Sequence, residues 1–214
     1  MNSIAAMLAG IKAGADWLEF DVRRTKDGVV MVTHDANTFR TTIWPHNVAR
    51  TKYKQLAKAK TYRGTPIPTL TDVFKAVGSK AKMIIEIKTK GCAETVVDHI
   101  ERVVKAGANY DRFIVISFKP ERLREIHRLN DHINLGLLQS WHPLAFTKLR
   151  AMRLSTVGFW SRKVPQKAIE QAKVRGLSTF VYTVNNHKKA AVLAARGIDR
   201  LVTDRPDKMQ DLKD

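Results

Sequence analysis

The most regular feature of the chain is an alternation of short apolar segments with amphipathic helices. Between the apolar segments, apolar residues recur at the 3.6-residue period of a helix, most clearly in residues 96–104. Strands that alternate with helices of this length predict a parallel sheet joined by right-handed crossovers. Seven parallel strands are predicted near residues 17–22, 83–88, 113–117, 133–138, 156–160, 178–183 and 200–203.

Glycine and proline mark where these helices end and begin. Glycine tolerates the left-handed conformation that closes a helix, and proline is favoured in a first helical turn. The predicted helix ends are at Gly14, Gly107, Gly176 and Gly197, and the predicted first turns contain Pro120 and Pro165. The chain opens on a further helix, for which Ser3 is the candidate N-cap.

These elements predict an α/β fold of the (β/α)8 TIM-barrel type. An additional strand near residues 29–33 follows the turn at residues 26–28 and should form a hairpin with the first strand. Because a helix precedes that first strand, we expect one domain over residues 1–214 that lacks the first barrel strand. The alternative is an open doubly wound sheet, which is disfavoured because no glycine-rich dinucleotide turn follows any predicted strand.

Two carboxylates lie on one face of the first predicted strand. Since side chains alternate across a strand, Glu19 and Asp21 share a face, and the apolar residues between them face the helices. Barrel enzymes place their sites at the carboxyl ends of the strands. Neighbouring carboxylates in a protein interior need a cation or hydrogen-bond donors, and oxygen ligands suit Mg²⁺ or Ca²⁺. A strand end exposed to water would also explain an isolated Glu-x-Asp.

The second parallel strand repeats this pattern with Glu86 and Lys88 on one face among isoleucines. One interpretation is a buried structural ion pair. The other is a third metal ligand, Glu86, beside a phosphate contact, Lys88. His34 ends the hairpin strand, and an imidazole can donate a proton near neutral pH, although a lone histidine is more often structural.

The chain has a formal net charge of +18, and part of that charge is concentrated in one segment. Residues 36–71 contain no Asp or Glu, and we call them the basic segment. Their basic residues are Arg40, Arg50, Lys52, Lys54, Lys58, Lys60 and Arg63. Such a field attracts anions, although a solvated basic loop would look the same. The charge alone would also be compatible with nucleic-acid binding, but no nucleic-acid motif supports that function.

Composition limits the cellular setting. No apolar run approaches the ~18 residues of a membrane span, so no stable membrane insertion is expected. The only cysteine, Cys92, excludes an intrachain disulfide and fits a reducing, cytoplasmic compartment. We interpret Cys92 as a thiol without a role.

Taken together, the motifs resemble those of the glycerophosphodiester phosphodiesterase family over nearly the whole chain. Each motif is short, but they occur in the family's order. They are residues 14–22 (Gly-Ala-Asp-Trp-Leu-Glu-Phe-Asp-Val), 25–29, 33–35, Arg40-Thr41-Thr42, 67–70, 85–88, Ser117-Phe118, 183–185 and 203–206.

The resemblance implies a phosphodiesterase barrel that hydrolyses glycerophosphodiesters to glycerol 3-phosphate and an alcohol. It implies a divalent cation, Mg²⁺ or Ca²⁺, at Glu19, Asp21 and Glu86, with His34 as catalytic acid and Lys88 on the phosphate. Arg40 and Tyr182, where the family often has Trp, are the further expected substrate contacts.

One departure concerns the beginning of the chain. The family has a His-Arg-Gly motif on strand one and then Glu-Asn-Thr at the first helix, whereas here Asn2-Ser3 fits the end of the second motif. The resemblance therefore predicts a truncated chain without the family's second catalytic histidine, weakly active or inactive as it stands. The alternatives are a catalytically impaired anion-binding barrel, or a related phosphodiesterase of the sphingomyelinase D or phosphatidylinositol-specific phospholipase C type.

Overall fold

The computed structural model describes residues 2–62, 64–139, 152 and 154–213. Met1, Arg63 and His142 therefore lie outside the described residues. The strands are β1 (Trp17–Arg24), β2 (Val30–Val32), β3 (Lys82–Ile87), β4 (Phe113–Ser117), β5 (Asn134–Gln139), β6 (Leu154–Trp160), β7 (Ser178–Tyr182) and β8 (Arg200–Leu201). The helices are α1 (Ile4–Lys12), α2 (Tyr53–Leu56), α3 (Leu70–Val77), α4 (Ala93–Lys105), α5 (Pro120–Leu129), α6 (Gln166–Val174) and α7 (His187–Ala195).

The strands form one curled sheet in the order β2-β1-β3-β4-β5-β6-β7-β8. Seven strands are parallel, and only β2 is antiparallel, paired with the end of β1 as the predicted hairpin. Every predicted strand is found within a few residues of its expected bounds. In the described part of the chain no pairing joins β8 to β1, so the sheet is open there. This is the predicted (β/α) barrel architecture with α1 ahead of the first strand.

The two faces of the sheet carry different cores, as the alternation predicted. Leu18, Phe20 and Val22 of β1 are buried in the large apolar layer between sheet and helices. The concave face has a smaller apolar cluster, which includes Ile84 and Phe180. Glu19, Asp21 and Glu86 share that concave face because they alternate with the outward apolar residues.

The helix ends follow the glycine and proline signals with one exception. Ser3 accepts a hydrogen bond from the Ala6 amide as the N-cap of α1, and Pro120 is the first residue of α5. Pro165 was predicted in the first turn of α6, but it is the N-cap residue of that helix and has an extended backbone. The fixed φ of proline is compatible with the N-cap as well as with the first turn. The four predicted helix-end glycines all have positive φ.

The basic segment leaves the sheet after β2 and returns at α3. Its inner side packs around Val48, Leu56 and Ile67, which form a small core with Met31 of β2. The Lys26 amide donates to the Thr51 carbonyl, and the Tyr53 amide donates to Asp27, so the segment rests on the hairpin turn that follows β1. That turn lies at the carboxyl end of the barrel. None of the helices formed by the described residues has the length and apolar character needed to cross a bilayer.

Candidate metal centre

Three carboxylates meet on the concave face, where β1 and β3 lie side by side. Asp21 and Glu86 are direct partners in the parallel register of the two strands, and Glu19 lies two residues earlier on β1. One oxygen from each of the three carboxylates lies within 4.8 Å of the others. Carboxylate oxygens at this spacing are a donor set that could hold a divalent cation.

Lys88 lies against the same cluster. Its ammonium nitrogen is 3.1 Å from an oxygen of Asp21 and 2.9 Å from an oxygen of Glu86, and its side chain is only 14% exposed. Burial acts to lower the pKa of Lys88, but attraction to the two carboxylates outweighs it and the pKa is raised. Lys88 is therefore a permanently charged group at the cluster.

One ammonium does not neutralise three carboxylates. Burial, followed by repulsion from Asp21 and Glu86, raises the pKa of Glu19 well above its ordinary value. Burial also raises the pKa of Glu86 to about 7, even though Lys88 acts in the opposite direction. Among the described residues, the Glu19 carboxylate has no hydrogen-bond or ion-pair partner. An uncompensated, largely buried negative charge of this kind fits a divalent cation.

Asn2 completes the surroundings of Asp21. Its side-chain amide donates to the second Asp21 oxygen at 2.7 Å, and its side-chain oxygen accepts from the Asp21 backbone amide at 3.1 Å. The two oxygens of Asp21 thus point to different partners, Lys88 and Asn2. Asn2 was not predicted as a site residue. The sequence signal that could have identified it was the match of Asn2 to the family motif at the start of the first helix.

An aromatic wall that includes Tyr182 flanks the carboxylates. The Tyr182 hydroxyl donates to the Gln139 carbonyl at 2.8 Å, and burial raises the pKa of Tyr182. The ring of Phe118 packs edge-on against Tyr182, and the Lys88 ammonium lies 5.8 Å from the Phe118 ring centroid. The sequence motif contained Phe118 without a role, and its position beside Lys88 is new.

His34 lies beside the cluster, not within it. Its side chain is 64% exposed, and Nδ1 lies 2.8 Å from Asp35. The hydrogen bond from His34 lowers the pKa of Asp35, and Arg40 and Arg23 lower it further. Within the described ranges the His34 ring makes no contact with the three carboxylates. The structure thus brings Glu19, Asp21, Glu86, Lys88 and Tyr182 together and places His34 and Arg40 at the rim.

Arg23 connects the rim to the cluster. It follows Glu19 and Asp21 on the same face of β1, and its Nε donates to the His34 carbonyl at 2.8 Å. Burial lowers the pKa of Arg23, while Asp21 and Asp35 counteract that shift. The alternation that identified Glu19 and Asp21 also places Arg23 on the inward face, although Arg23 was not among the predicted site residues.

Comparison with known proteins agrees with this geometry. A sequence model of the "Glycerophosphoryl diester phosphodiesterase family" matches residues 1–208. The chain belongs to this family. A glycerophosphodiester phosphodiesterase of Caldanaerobacter subterraneus subsp. tengcongensis is 30% identical over 99% of this chain and 91% of the relative.

Solved phosphodiesterase structures share the fold. A glycerophosphodiester phosphodiesterase from Parabacteroides distasonis is 25% identical, with a TM-score of 0.80 over 99% of this chain and 89% of that chain. An Oleispira antarctica phosphodiesterase in complex with the product sn-glycerol-3-phosphate is 24% identical, with a TM-score of 0.86 over 99% and 90%. Both likenesses agree with the barrel fold of this chain.

Proposed function

We propose that this protein hydrolyses glycerophosphodiesters to glycerol 3-phosphate and an alcohol, and that it requires Mg²⁺ or Ca²⁺. The observation that carries the proposal is the cluster of Glu19, Asp21 and Glu86 in a chain that belongs to the glycerophosphoryl diester phosphodiesterase family. The product bound to the Oleispira antarctica phosphodiesterase is the one proposed here. Glycerophosphodiesters derive from phospholipids, so the reaction belongs to lipid and glycerol metabolism.

The three carboxylates would hold the cation, and Lys88 would contact the phosphoryl group. A divalent cation in such a site stabilises the negative charge that develops on phosphoryl oxygens. Lys88 adds a second positive charge at a position where water is largely excluded, which strengthens its attraction for an anionic substrate. Because Lys88 already contacts Asp21 and Glu86, its ammonium is held in place before the substrate binds.

His34 is the proposed proton donor. Asp35 lies at Nδ1 of the imidazole, which leaves Nε2 to hold the proton that is transferred. In the reaction, the water oxygen bonds to phosphorus, the ester P–O bond breaks, and the leaving alkoxide takes up the proton from Nε2. One proton of the water stays on the phosphomonoester, and the other returns to Nε2. Arg23 would fix the backbone of His34 through its hydrogen bond to the carbonyl.

The remaining predicted contacts shape substrate entry. Tyr182 and Phe118 offer an aromatic wall for the part of the substrate that carries no charge. Arg40 is exposed at the rim near Asp35, where it would attract the anionic diester. We also place the protein in a reducing compartment such as the cytoplasm, because its only cysteine, Cys92, is buried and unpaired.

A non-catalytic anion-binding barrel is the second candidate. The observation that favours it is the exposed His34 ring, which does not contact the carboxylate cluster within the described residues. Such a protein would use the same cation and the same Lys88 to hold a phosphodiester or glycerol 3-phosphate without turning it over.

A substrate panel separates these functions. The purified chain is incubated with glycerophosphocholine, glycerophosphoethanolamine, lysophosphatidylcholine and sphingomyelin, each with Mg²⁺, with Ca²⁺ and with EDTA. The proposal predicts glycerol 3-phosphate from the first two substrates in the presence of a cation and none with EDTA. Cleavage of only the acylated lipids would assign a phospholipase-type activity. Binding of glycerol 3-phosphate by calorimetry without any turnover would favour the anion-binding barrel.

A further inference from the structure

The outer surface of the basic segment carries a cluster of exposed apolar side chains. Nine large hydrophobic side chains of the described residues are exposed, and four of them fall within residues 39–62. They are Phe39 (67% exposed), Ile43 (62%), Trp44 (76%) and Tyr62 (65%), and we call them the apolar patch. The other five are distributed over four helices and the end of β4, so only this segment concentrates them.

Backbone hydrogen bonds hold the apolar patch together. Thr42 and Thr61 form an antiparallel bridge, and the Tyr62 amide donates to the Thr41 carbonyl at 3.1 Å. The Tyr62 hydroxyl donates to the Phe39 carbonyl at 3.2 Å, and the Thr42 hydroxyl is 2.8 Å from the Trp44 carbonyl. The four side chains therefore extend from one hydrogen-bonded unit. Their exposure is not the result of an unstructured loop.

The segment that carries the apolar patch also carries exposed basic side chains. Arg40, Arg50, Lys52, Lys54, Lys58 and Lys60 are all exposed. The neighbouring acidic residues Asp27, Asp35 and Asp72 accept hydrogen bonds from the Tyr53 amide, His34 and the Thr69 amide. The outer surface of the segment thus combines aromatic side chains with positive charge and has no acidic residue of its own.

We propose that the basic segment docks peripherally on an anionic lipid surface, with the apolar patch in the headgroup region. Aromatic side chains with a polar edge favour the membrane–water interface, and basic residues are attracted to anionic headgroups. Exposed apolar side chains and cations on one segment fit such a surface better than they fit water. The contact is peripheral and needs no membrane-spanning helix. It goes beyond the proposed hydrolysis and does not depend on it.

The position of the segment gives this docking a consequence. The basic segment starts directly after His34 and Asp35 and rests on the turn at the carboxyl end of β1. Docking through Trp44 and its neighbours would therefore hold the rim of the carboxylate site close to the lipid surface, where phosphodiester headgroups are concentrated.

Vesicle binding tests the proposal, with EDTA and without substrate so that catalysis plays no part. Vesicles of phosphatidylcholine alone are compared with vesicles that also contain phosphatidylglycerol. We expect binding only to the mixed vesicles. Trp44→Ser should weaken it at least about fivefold because the apolar contact of an aromatic side chain is lost. Lys58→Gln combined with Lys60→Gln should weaken it to a similar extent because two cations are lost. Val174→Ser, at 86% exposure, and Lys167→Gln on the same helix are the matched controls and should change binding by less than about twofold.

A second measurement identifies the inserted residue. Brominated lipids quench tryptophan emission, and Trp44→Phe removes this fluorophore while keeping an aromatic ring. We expect quenching in the unsubstituted protein, and its loss with binding retained in Trp44→Phe. Equal weakening by the control variants, or quenching that survives Trp44→Phe, would overturn the proposal. So would duplex DNA that displaces the protein from vesicles with higher affinity than the lipid, or a dimer that Trp44→Ser dissociates.

Discussion

The ammonium nitrogen of Lys88 lies 2.9 Å from a carboxylate oxygen of Glu86, yet the pKa of Glu86 is raised to about 7. A single lysine at this distance would ordinarily lower the pKa of a carboxyl group. The raised value results from burial and from Asp21, which together outweigh the lysine. When ionised, the three carboxylates therefore carry more negative charge than Lys88 neutralises, and this excess is the physical basis for the proposed cation.

Replacing Glu86 should remove cation binding. Glu86→Gln keeps the shape of the side chain and the hydrogen-bonding oxygen near Lys88, but it removes one charged oxygen from the donor set. We expect the affinity for Mg²⁺ or Ca²⁺ in titration calorimetry to fall at least about tenfold, as expected when a coordinating carboxylate is lost. Glu94→Gln on the exposed side of α4 is the control and should leave the affinity unchanged. Equal affinities for all three proteins would exclude Glu86 as a ligand.

The metal-free protein should lose stability as the pH rises. Glu86 has a pKa of about 7 in the folded state and an ordinary value of 4.5, so between these values the folded state binds more protons than the unfolded state. The resulting stability is present below about pH 4.5 and is lost as the pH rises through about 7, by an amount on the order of a few kcal/mol. Asp27, Asp35 and Asp207 have lowered pKa values and act only at lower pH.

Urea unfolding in EDTA at pH 5 and pH 8 measures this dependence. Glu86→Gln should weaken it, with the remainder due to Glu19, whose pKa is also raised. Added Mg²⁺ should restore stability at pH 8, because ionised carboxylates are the form that binds a cation. A metal-free protein that is equally stable at both pH values, with Glu86→Gln indistinguishable from it, would contradict the assignment of the raised pKa.

His34→Ala should reduce turnover without affecting the cation. The loss of a general acid typically lowers the rate by about 10²–10⁴. Since the His34 ring does not contact the carboxylates in the described structure, the affinity for Mg²⁺ should remain within error. His132→Ala is a suitable control because His132 is also exposed, at 70%, and lies beside an aspartate at the start of β5, the opposite end of the barrel. A turnover that falls equally in both variants would remove His34 from the mechanism.

Two glycines test the packing of the barrel. A methyl group on Gly158 of β6 would overlap the ring of Phe180 on the neighbouring strand, so Gly158→Ala should destabilise the fold by about 1–3 kcal/mol. Gly10 lies inside α1, where an added methyl would contact Leu18 at an ordinary 3.6 Å. Gly10→Ala should therefore stabilise by about 0.5–1 kcal/mol through helix propensity. Thermal unfolding in EDTA gives both values, and a neutral Gly158→Ala would contradict the packing.

The strand pattern and one part of the site could be predicted from the sequence. Glu19 and Asp21 were placed correctly because apolar neighbours on a single strand determine which face turns inward. The same rule, applied to β3 and the residue after it, placed Glu86 and Lys88 on the inward face. These predictions are local, since each depends on the two-residue period of one strand.

Contacts between side chains of different strands could not be predicted from the pattern of a single strand. That Lys88 bridges Asp21 and Glu86 depends on the register of β1 and β3, which no local pattern specifies. The direction of the His34 side chain could not be predicted in this way either, because His34 lies two residues past the last residue of β2, where alternation no longer fixes the direction of a side chain. Asn2 reaches Asp21 from a different element, and only the folded chain shows the contact.

The most direct test of the central claim is the rate of glycerol 3-phosphate release as Mg²⁺ or Ca²⁺ is titrated into the metal-free protein with glycerophosphocholine. We expect a rate that rises and saturates with the cation, returns to background with EDTA, and is absent in Glu86→Gln at the same concentrations. A rate that does not depend on the cation, or no rate from a folded protein that calorimetry shows to bind it, would contradict the claim that this carboxylate cluster supports phosphodiester hydrolysis.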